Sequence, residues 1–306
     1  MFLAFRVLQG AIISGAALSR AVIRDIAPEQ EAASMMGYVS MVMAVAPMVG
    51  PMLGGALDEL FGWRASFITF AALGIAVLGL CWVDLGETNK SPTQTLMKQL
   101  QTYPELLGSR RFWGYALCMM FSTGAFYSFL AGAPLVAKEL FAMSPAMLGF
   151  NVGTITAGFI FGSFLSGRYA QQYSLSTMMI AGRIVACTGL VLGIGMFLAG
   201  FVHVASLFGA TVFVGIGNGL TMPSSAAGAL SVKPDLAGSA SGLSGGLTAL
   251  GGAILTSITG AVVTKDGGAY PLLSMMLFCS AAGLILALYV FNLDLNEARE
   301  LNVLQP

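Results

Sequence analysis

Charged residues are scarce in this sequence. Lys, Arg, Asp and Glu make up 9% of the 306 residues and hydrophobic residues make up 57%, which gives a mean hydropathy of +0.83. A soluble globular protein of this length needs far more charge to cover its surface. The composition therefore excludes a water-soluble protein and predicts an integral membrane protein whose surroundings are the lipid bilayer.

Residues for catalysis and for metal binding are equally few. The single histidine, His203, lies at the boundary of an apolar run, so a Ser-His-Asp arrangement is not indicated. Cys81, Cys118, Cys187 and Cys279 are scattered singly, without the spacing of a metal site or of an obvious disulfide pair. No phosphate-binding loop is present, which argues against direct use of ATP. We expect no enzyme activity, no cofactor, no metal and no nucleic-acid partner.

What the sequence has instead is a series of long runs without charge. Runs of about 20 apolar residues are long enough to cross a bilayer as helices. We expect nine of them, and hence an all-α integral membrane protein. The nine predicted spans cover residues 3–21, 35–57, 65–84, 113–135, 146–167, 176–199, 204–226, 238–262 and 271–291.

The loops between these spans differ in basic residues. One set of loops holds nine Lys and Arg residues and the other set holds three. Because cytoplasmic loops carry the excess of Lys and Arg, we expect the C-terminal tail, 292–306, in the cytoplasm. Nine spans then place Met1 on the outer side, although no basic flank or cleavable signal precedes the first span. We expect Met1 to be an internal residue of a longer protein, with a signal-anchor helix as the alternative.

The longest polar stretch, 87–112, separates three spans from six. Transporters built of two six-helix halves have one long cytoplasmic loop between the halves. We therefore expect a partial N-terminal half at 1–86, the inter-half loop at 87–112 and a six-helix C-terminal half with a short tail at 113–306. This arrangement predicts a twelve-helix protein that lacks its first three helices; a complete nine-span fold is the alternative.

One predicted span is rich in helix-breaking residues. It contains Gly50, Pro51, Gly54 and Gly55, which are tolerated in a membrane helix where neighbouring helices satisfy the freed backbone groups. The pattern resembles the antiporter motif in the fifth helix of major facilitator drug transporters. The resemblance implies a helix at the interface of two halves.

Other motifs resemble the same family. Arg6, Gln9 and Gly10 are similar to the Arg-x-x-Gln-Gly motif of the fourth helix. The segment from Gly162 to Arg168 is similar to the gating motif between helices eight and nine, with a glycine where an aspartate is usual. By resemblance, Arg6 steadies the proton-coupling or substrate region.

The segment 215–219, with Pro223, resembles the Bcr/CflA subfamily of bacterial drug efflux proteins. The resemblance covers the whole chain as helices four to twelve of twelve. It implies a secondary transporter of the bacterial inner membrane that exports drugs or small amphipathic molecules by alternating access, with proton antiport in the full-length form. A metabolite exporter of the same superfamily is one alternative, and an inactive truncated fragment is another.

Substrate contacts are expected from adaptable apolar surface. Phe126 and Tyr127 present large aromatic faces for a substrate-facing wall, with lipid-facing aromatics as the alternative. Tyr38 and Met41 precede the antiporter motif on its span, where a flexible thioether suits varied ligands. The alternative is that Tyr38 and Met41 fill gaps in the protein core.

Polar groups inside spans need partners. Asn151 and Asn218 are intramembrane amides, for which an interhelical hydrogen bond is the ordinary role and substrate contact the alternative. Arg6 and Arg183 are intramembrane cations that do not release protons, and Arg6 could instead reach the outer interface. The carboxylates lie at helix ends or in loops. We therefore expect that the 306 residues of this chain, taken alone, do not couple export to protons.

Small residues recur at every fourth position in several spans, which predicts faces for close helix contact. These faces are Gly158 with Gly162, Gly189 with Gly193, Gly215 with Gly219, and the series Gly238, Gly242 and Gly246.

Overall fold

A computed structural model gives the fold. It describes the single positions 15, 22, 43, 50, 53, 54 and 86, and the ranges 57–84, 104–169, 172–233, 237–264 and 267–303. Within these ranges the chain is helical, with no strand, and seven helices are long and apolar enough to cross a membrane. The all-α membrane fold predicted from the sequence is confirmed. The first two predicted spans lie almost entirely outside the described residues.

The seven helices follow the charge-free runs. They are α1 (Trp63–Asp84), α2 (Arg110–Phe141), α3 (Pro145–Tyr169), α4 (Leu175–Leu198), α5 (Val204–Ser231), α6 (Ala237–Val262) and α7 (Tyr270–Val303). Two capping serines mark helix starts, since Ser109 Oγ accepts from the Phe112 N–H and Ser174 Oγ accepts from the Thr177 N–H. The α2 helix ends at Phe141 and is followed by Ala142, which adopts a left-handed conformation at φ 47°.

Two helices extend beyond the predicted spans. The α2 helix begins at Arg110, before the predicted span 113–135, and α7 continues to Val303, beyond the predicted span 271–291. These helix ends are held by an ion-pair cluster, which the apolar runs of the sequence do not reveal. Arg111 bonds Asp294 at 2.8 Å and Glu297 at 2.7 Å, which holds the end of α7 beside the start of α2. Lys233 forms a further ion pair with Glu105.

The chain divides into two compact units, 1–98 and 99–306, and the boundary falls inside the predicted inter-half loop. The first unit contains α1, none of whose residues is buried. This helix is apolar around its whole circumference, as in a membrane-spanning helix. The second unit contains α2 to α7, and its sequence-distant apolar residues form two buried clusters.

Within the second unit, α5 packs against α3 and α4, while α2 packs against α6 and α7. Glycines make the α3–α5 contact close. A Cβ atom on Gly215 would lie 2.0 Å from the Ile155 carbonyl oxygen, and one on Gly219 would lie 2.3 Å from the Phe159 carbonyl oxygen. Any side chain there would separate the two helices. The predicted small-residue face at 215 and 219 is thereby confirmed.

The other predicted small-residue faces divide into two groups. A Cβ on Gly162 would lie 2.2 Å from the Ile216 carbonyl oxygen, and one on Gly189 would lie 2.2 Å from Phe213 Cβ, so both faces pack against α5. In contrast, Gly242 and Gly246 on α6 have no atom within 4 Å of a Cβ position. The close packing predicted for these two glycines is not formed within the second unit.

Candidate functional site

A buried arginine lies in the middle of the second unit. Arg183, on α4, has no exposed surface. Its Nε donates to Thr221 Oγ1 at 2.9 Å and its Nη2 donates to Asn218 Oδ1 at 2.7 Å. Both acceptors are themselves buried on α5. The guanidinium therefore joins two helices through two hydrogen bonds in an interior without water access.

The hydrogen bonds continue to a third helix. Asn218 Nδ2 donates to the Ser122 carbonyl oxygen on α2 at 3.0 Å. Ser122 Oγ in turn donates to the Cys118 carbonyl oxygen one turn earlier, at 2.6 Å. We call Arg183, Asn218, Thr221 and Ser122 the arginine cluster. It connects α2, α4 and α5 at the centre of the unit.

Backbone proximity explains how the arginine reaches its partners. Gly182 precedes Arg183, and a Cβ on it would lie 2.5 Å from the Gly217 carbonyl oxygen. A Cβ on Gly217 would in turn lie 2.3 Å from the Gly182 carbonyl oxygen. The absence of side chains at both positions brings α4 and α5 close enough for the guanidinium to bond Asn218. A third glycine, Gly283 on α7, leaves room for Arg183 Cδ, which would stand 3.0 Å from its Cβ.

The charge of Arg183 has no carboxylate partner in the part of the chain that the structure describes. Its two acceptors are a neutral amide and a neutral hydroxyl, and its Nη1 makes no hydrogen bond to any described group. None of the described Asp and Glu residues is buried. Because arginine stays protonated in proteins, Arg183 places a positive charge in the interior that no described carboxylate compensates.

Partly exposed side chains on α2 and α5 follow two members of the arginine cluster in the chain. Thr123 on α2 donates to the Met222 sulfur on α5 at 3.7 Å. Phe126 and Tyr127 follow Thr123 at helical spacing, and their rings are in contact, with centroids 5.9 Å apart. We call Thr123, Phe126, Tyr127 and Met222 the α2–α5 face. Tyr127 is 38% exposed.

The α6 helix borders this face without covering it. A Cβ on Gly252 would lie 2.6 Å from the Tyr127 ring, and one on Gly251 would lie 2.2 Å from Met120. Glycine at both positions lets α6 lie flat against α2. The face therefore offers aromatic, thioether and hydroxyl groups, which is the mixture that holds apolar ligands with few polar anchors.

The arginine cluster and the α2–α5 face are one residue apart along both helices. Ser122, whose carbonyl bonds Asn218, precedes Thr123. Thr221, which bonds Arg183, precedes Met222. The residues that bond the guanidinium directly or through Asn218 are therefore the chain neighbours of Met222 on α5 and of Thr123 on α2.

The two predicted asparagine sites have different surroundings. Asn218 makes the interhelical hydrogen bonds that are the ordinary role of an intramembrane amide. Asn151 does not, because its Nδ2 donates to the Met147 carbonyl oxygen of its own helix at 2.8 Å. In the predicted gating segment, Gly162 packs on α5 and Arg168 is exposed at the end of α3, where a cation complements the helix dipole.

The remaining predicted positions belong to the first unit. Gly50 and Gly54 are helical, with no atom within 4 Å of a Cβ position. The others lie outside the described residues: Arg6, Gln9, Gly10, Tyr38, Met41, Pro51 and Gly55.

Sequence reasoning missed four contributors to the site: Ser122, Thr123, Thr221 and Met222. One signal for Thr221 was present, since it stands three residues after Asn218 and so shares its helical face. A buried arginine on the preceding span needs such acceptors. Ser122, Thr123 and Met222 carry no comparable signal in an apolar span.

A cavity of about 360 Å³ opens elsewhere in the unit, between α3, α4 and α5. Its lining includes Tyr169, Tyr173, Thr177 and Leu220, and does not include Arg183. The volume falls within the range of small-ligand pockets. A second cavity, near Val136, measures about 40 Å³, which is too small for a drug-sized molecule.

Comparison with known sequences identifies similar proteins. Residues 1–256 match the profile of the family described as Major Facilitator Superfamily. The uncharacterized MFS-type transporter YdgK of Bacillus subtilis is 30% identical over 84% of this chain and 65% of its own length. The bicyclomycin resistance protein homolog of Haemophilus influenzae is 26% identical over 91% of this chain and 70% of its own length. The multidrug resistance protein D of Escherichia coli is 25% identical over 86% of this chain and 66% of its own length. The chain thus spans about two thirds of the length of these relatives.

Solved structures show the same fold. The Escherichia coli fucose:proton symporter is similar with a TM-score of 0.62 at 14% identity, over 90% of this chain and 72% of that protein. A bacterial homolog of the human lysosomal transporter Spinster is similar with a TM-score of 0.58 at 14% identity, over 89% of this chain and 72% of that protein. At this level of identity the likeness concerns the fold alone.

Proposed function

The chain belongs to the Major Facilitator Superfamily, and we propose that it exports drugs or related small amphipathic molecules by alternating access. In this proposal it is a multi-pass protein of the bacterial inner membrane with its C-terminus in the cytoplasm. Relatives named for bicyclomycin resistance and for multidrug resistance support export of drugs. The nine-to-three distribution of basic residues among the loops supports the orientation.

The observation that carries the proposal is the α2–α5 face. An aromatic ring at Tyr127 and a thioether at Met222 provide apolar surface that adapts to ligands of different shape. The Thr123 hydroxyl, which donates to the Met222 sulfur, adds a neutral polar anchor. Such a surface binds molecules by shape and apolar contact rather than by a specific polar group. These properties suit a transporter of varied drugs.

Proton antiport is assigned in this proposal to the full-length form of the protein. A proton-coupled exporter needs a group that gains and loses a proton as access alternates. Among the residues that the structure describes, no Asp, Glu or His is buried. We therefore expect the group that gains and loses the proton to lie elsewhere than among the described buried residues of the second unit. Collapse of a pH gradient on addition of drug to vesicles that contain the full-length protein tests this assignment.

A susceptibility assay tests the export of drugs. The protein is expressed in a bacterial strain without its own efflux pumps, and growth is measured in bicyclomycin and in chloramphenicol. We expect higher resistance than with an empty vector, and loss of that resistance in Tyr127→Ala. Phe164→Ala, which removes an exposed aromatic ring of α3 away from the face, should retain it. Unchanged susceptibility with the protein present in the membrane would refute export of these drugs.

A further inference from the structure

Among the described residues, the interior of the second unit holds charge of one sign. Within the apolar middle of α2 to α7, Arg183 is the only ionised residue that the structure describes. The other charges of these helices lie near their ends: Arg110, Arg111, Lys138, Glu139, Arg168, Asp294, Glu297, Arg299 and Glu300. The acidic residues Asp294 and Glu297 are already bonded to Arg111. No carboxylate near the α2–α5 face is therefore described that could neutralise the guanidinium.

We propose that Arg183 determines the charge preference of the α2–α5 face, which binds anionic and neutral amphipathic molecules and excludes cations. The inference rests on the proposed function in one respect: it takes this face as the ligand-binding surface. Arg183 does not touch the ligand. It acts by its charge, since it bonds Thr221, the neighbour of Met222, directly and Ser122, the neighbour of Thr123, through Asn218.

Physical reasons make this influence strong. Charges in water are screened within several ångströms, whereas a fully buried charge acts through a medium of low effective dielectric constant. The partners of Arg183 are dipoles, which stabilise the guanidinium but leave its net charge in place. Its unpaired Nη1 shows that the local acceptors do not saturate it. A ligand at the face thus experiences a positive potential, which attracts anions and repels cations.

The geometry also explains why the charge stays fixed. Two hydrogen bonds, to Asn218 and Thr221, hold the guanidinium, and Gly283 leaves room for its stem. Arginine remains protonated at every physiological pH. The preference is accordingly a permanent property of the face and does not depend on a proton.

The test uses two ions of nearly identical size and shape, tetraphenylborate and tetraphenylphosphonium. Binding of each radiolabelled ion to the purified full chain in neutral-lipid nanodiscs is measured by equilibrium dialysis, and empty nanodiscs give the lipid background to subtract. We expect the Kd for tetraphenylborate to be lower than the Kd for tetraphenylphosphonium by about tenfold or more, as one buried unit charge without a described counter-charge predicts.

Three variants separate charge from packing. Asn218→Asp keeps an acceptor for the guanidinium and adds the missing negative charge, so the ratio of the two Kd values should fall about tenfold. Arg183→Gln should reduce the ratio to a similar extent by removing the cation. Arg183→Lys keeps the charge and should keep the preference. Size-exclusion profiles identify any variant that does not fold, and Asn218→Asp remains informative if Arg183→Gln fails.

The outcomes distinguish this inference from the proposed function. Equal binding of the two ions by the unmodified chain, a preference for the cation, or no binding of either ion would overturn the inference. An unchanged ratio in folded Asn218→Asp would also overturn it. Drug resistance in the susceptibility assay together with an unchanged ratio would leave export intact and refute the role of Arg183. A shifted ratio without drug resistance would support the role of Arg183 and refute export of those drugs.

Discussion

Nη2 of Arg183 donates a 2.7 Å hydrogen bond to Oδ1 of Asn218, and this bond joins the middle of α4 to the middle of α5. The same amide donates through Nδ2 to the Ser122 carbonyl oxygen on α2. One asparagine side chain thus satisfies a buried cation on one side and a buried carbonyl on the other. Its two polar atoms serve two different helices, so its orientation is fixed by both.

Replacement of Asn218 by leucine should destabilise the protein strongly. Arg183 loses its shorter hydrogen bond and the Ser122 carbonyl loses its donor, which leaves two buried groups poorly satisfied. We expect a loss of about 3 kcal/mol or more in the free energy of unfolding. Thermal unfolding in detergent, followed by circular dichroism, gives the change as a lower midpoint temperature.

Asn151→Leu is the matched control for this prediction. The amide of Asn151 bonds only its own helix, at the Met147 carbonyl, and it is only partly buried. We expect little change in its unfolding temperature. Equal midpoints for Asn218→Leu and the unmodified protein would show that the buried amide contributes nothing to stability.

Substitution of Gly215 or Gly219 by alanine should separate α3 from α5. The added Cβ would lie 2.0 Å from the Ile155 carbonyl oxygen in one case and 2.3 Å from the Phe159 carbonyl oxygen in the other. These are backbone atoms, so relief requires movement of a whole helix. We expect the free energy of unfolding of each variant to fall by about 1–3 kcal/mol, because overpacking a dense interior is destabilising by that amount.

The control lies on the same helix. A Cβ on Gly209 meets no atom within 4 Å, so Gly209→Ala introduces no clash and gains the higher helix propensity of alanine. We expect its thermal stability to be equal or higher. Expression level and unfolding temperature of the three variants, measured side by side, check the prediction. A Gly219→Ala protein as stable as Gly209→Ala would contradict the close approach of α3 and α5.

The sequence predicted helices well where apolarity alone decides their position. The predicted span 204–226 starts where α5 starts, because the chain turns at Gly200 and His203 caps the first turn of α5. The predicted span 271–291 does not reveal the end of α7 at Val303, because the helix continues there beyond the apolar segment. That extension depends on Arg111, which precedes the pairing acids by more than 180 residues, and no local pattern reports such a pairing.

The site was predicted in parts. Asn218 and Arg183 were each recognisable as polar residues inside a span, and each needed a partner. That they are partners of one another depends on the rotation of α4 against α5, which the glycines at 182 and 217 fix through backbone contact. Thr123 and Met222 could not be predicted, because small hydroxyl and thioether side chains are common in apolar spans and acquire meaning only when two helices bring them together.

Replacement of Ala142 by glycine should stabilise the second unit. Ala142 follows the end of α2 in a left-handed conformation, at φ 47°, and its N–H bonds the Lys138 carbonyl oxygen at 3.1 Å. This conformation costs an L-residue roughly 1–2 kcal/mol, whereas glycine adopts it without strain. Because glycine also gains freedom in the unfolded chain, we expect a net increase of about 0.5–1 kcal/mol. A lower unfolding temperature for Ala142→Gly would contradict this geometry.

Replacement of Arg111 by glutamine should weaken the attachment of the α7 end, to a degree that depends on salt. Arg111 bonds both Asp294 and Glu297, and all three side chains are partly exposed. Exposed ion pairs contribute up to about 1 kcal/mol each and are screened at high ionic strength. We therefore expect Arg111→Gln to lower the unfolding temperature in dilute buffer and to differ less from the unmodified protein in high salt. Arg110→Gln removes the neighbouring exposed cation, for which the structure describes no ion pair, and serves as the control. If the two variants lose equal stability at every salt concentration, the ion pairs of Arg111 do not hold the end of α7.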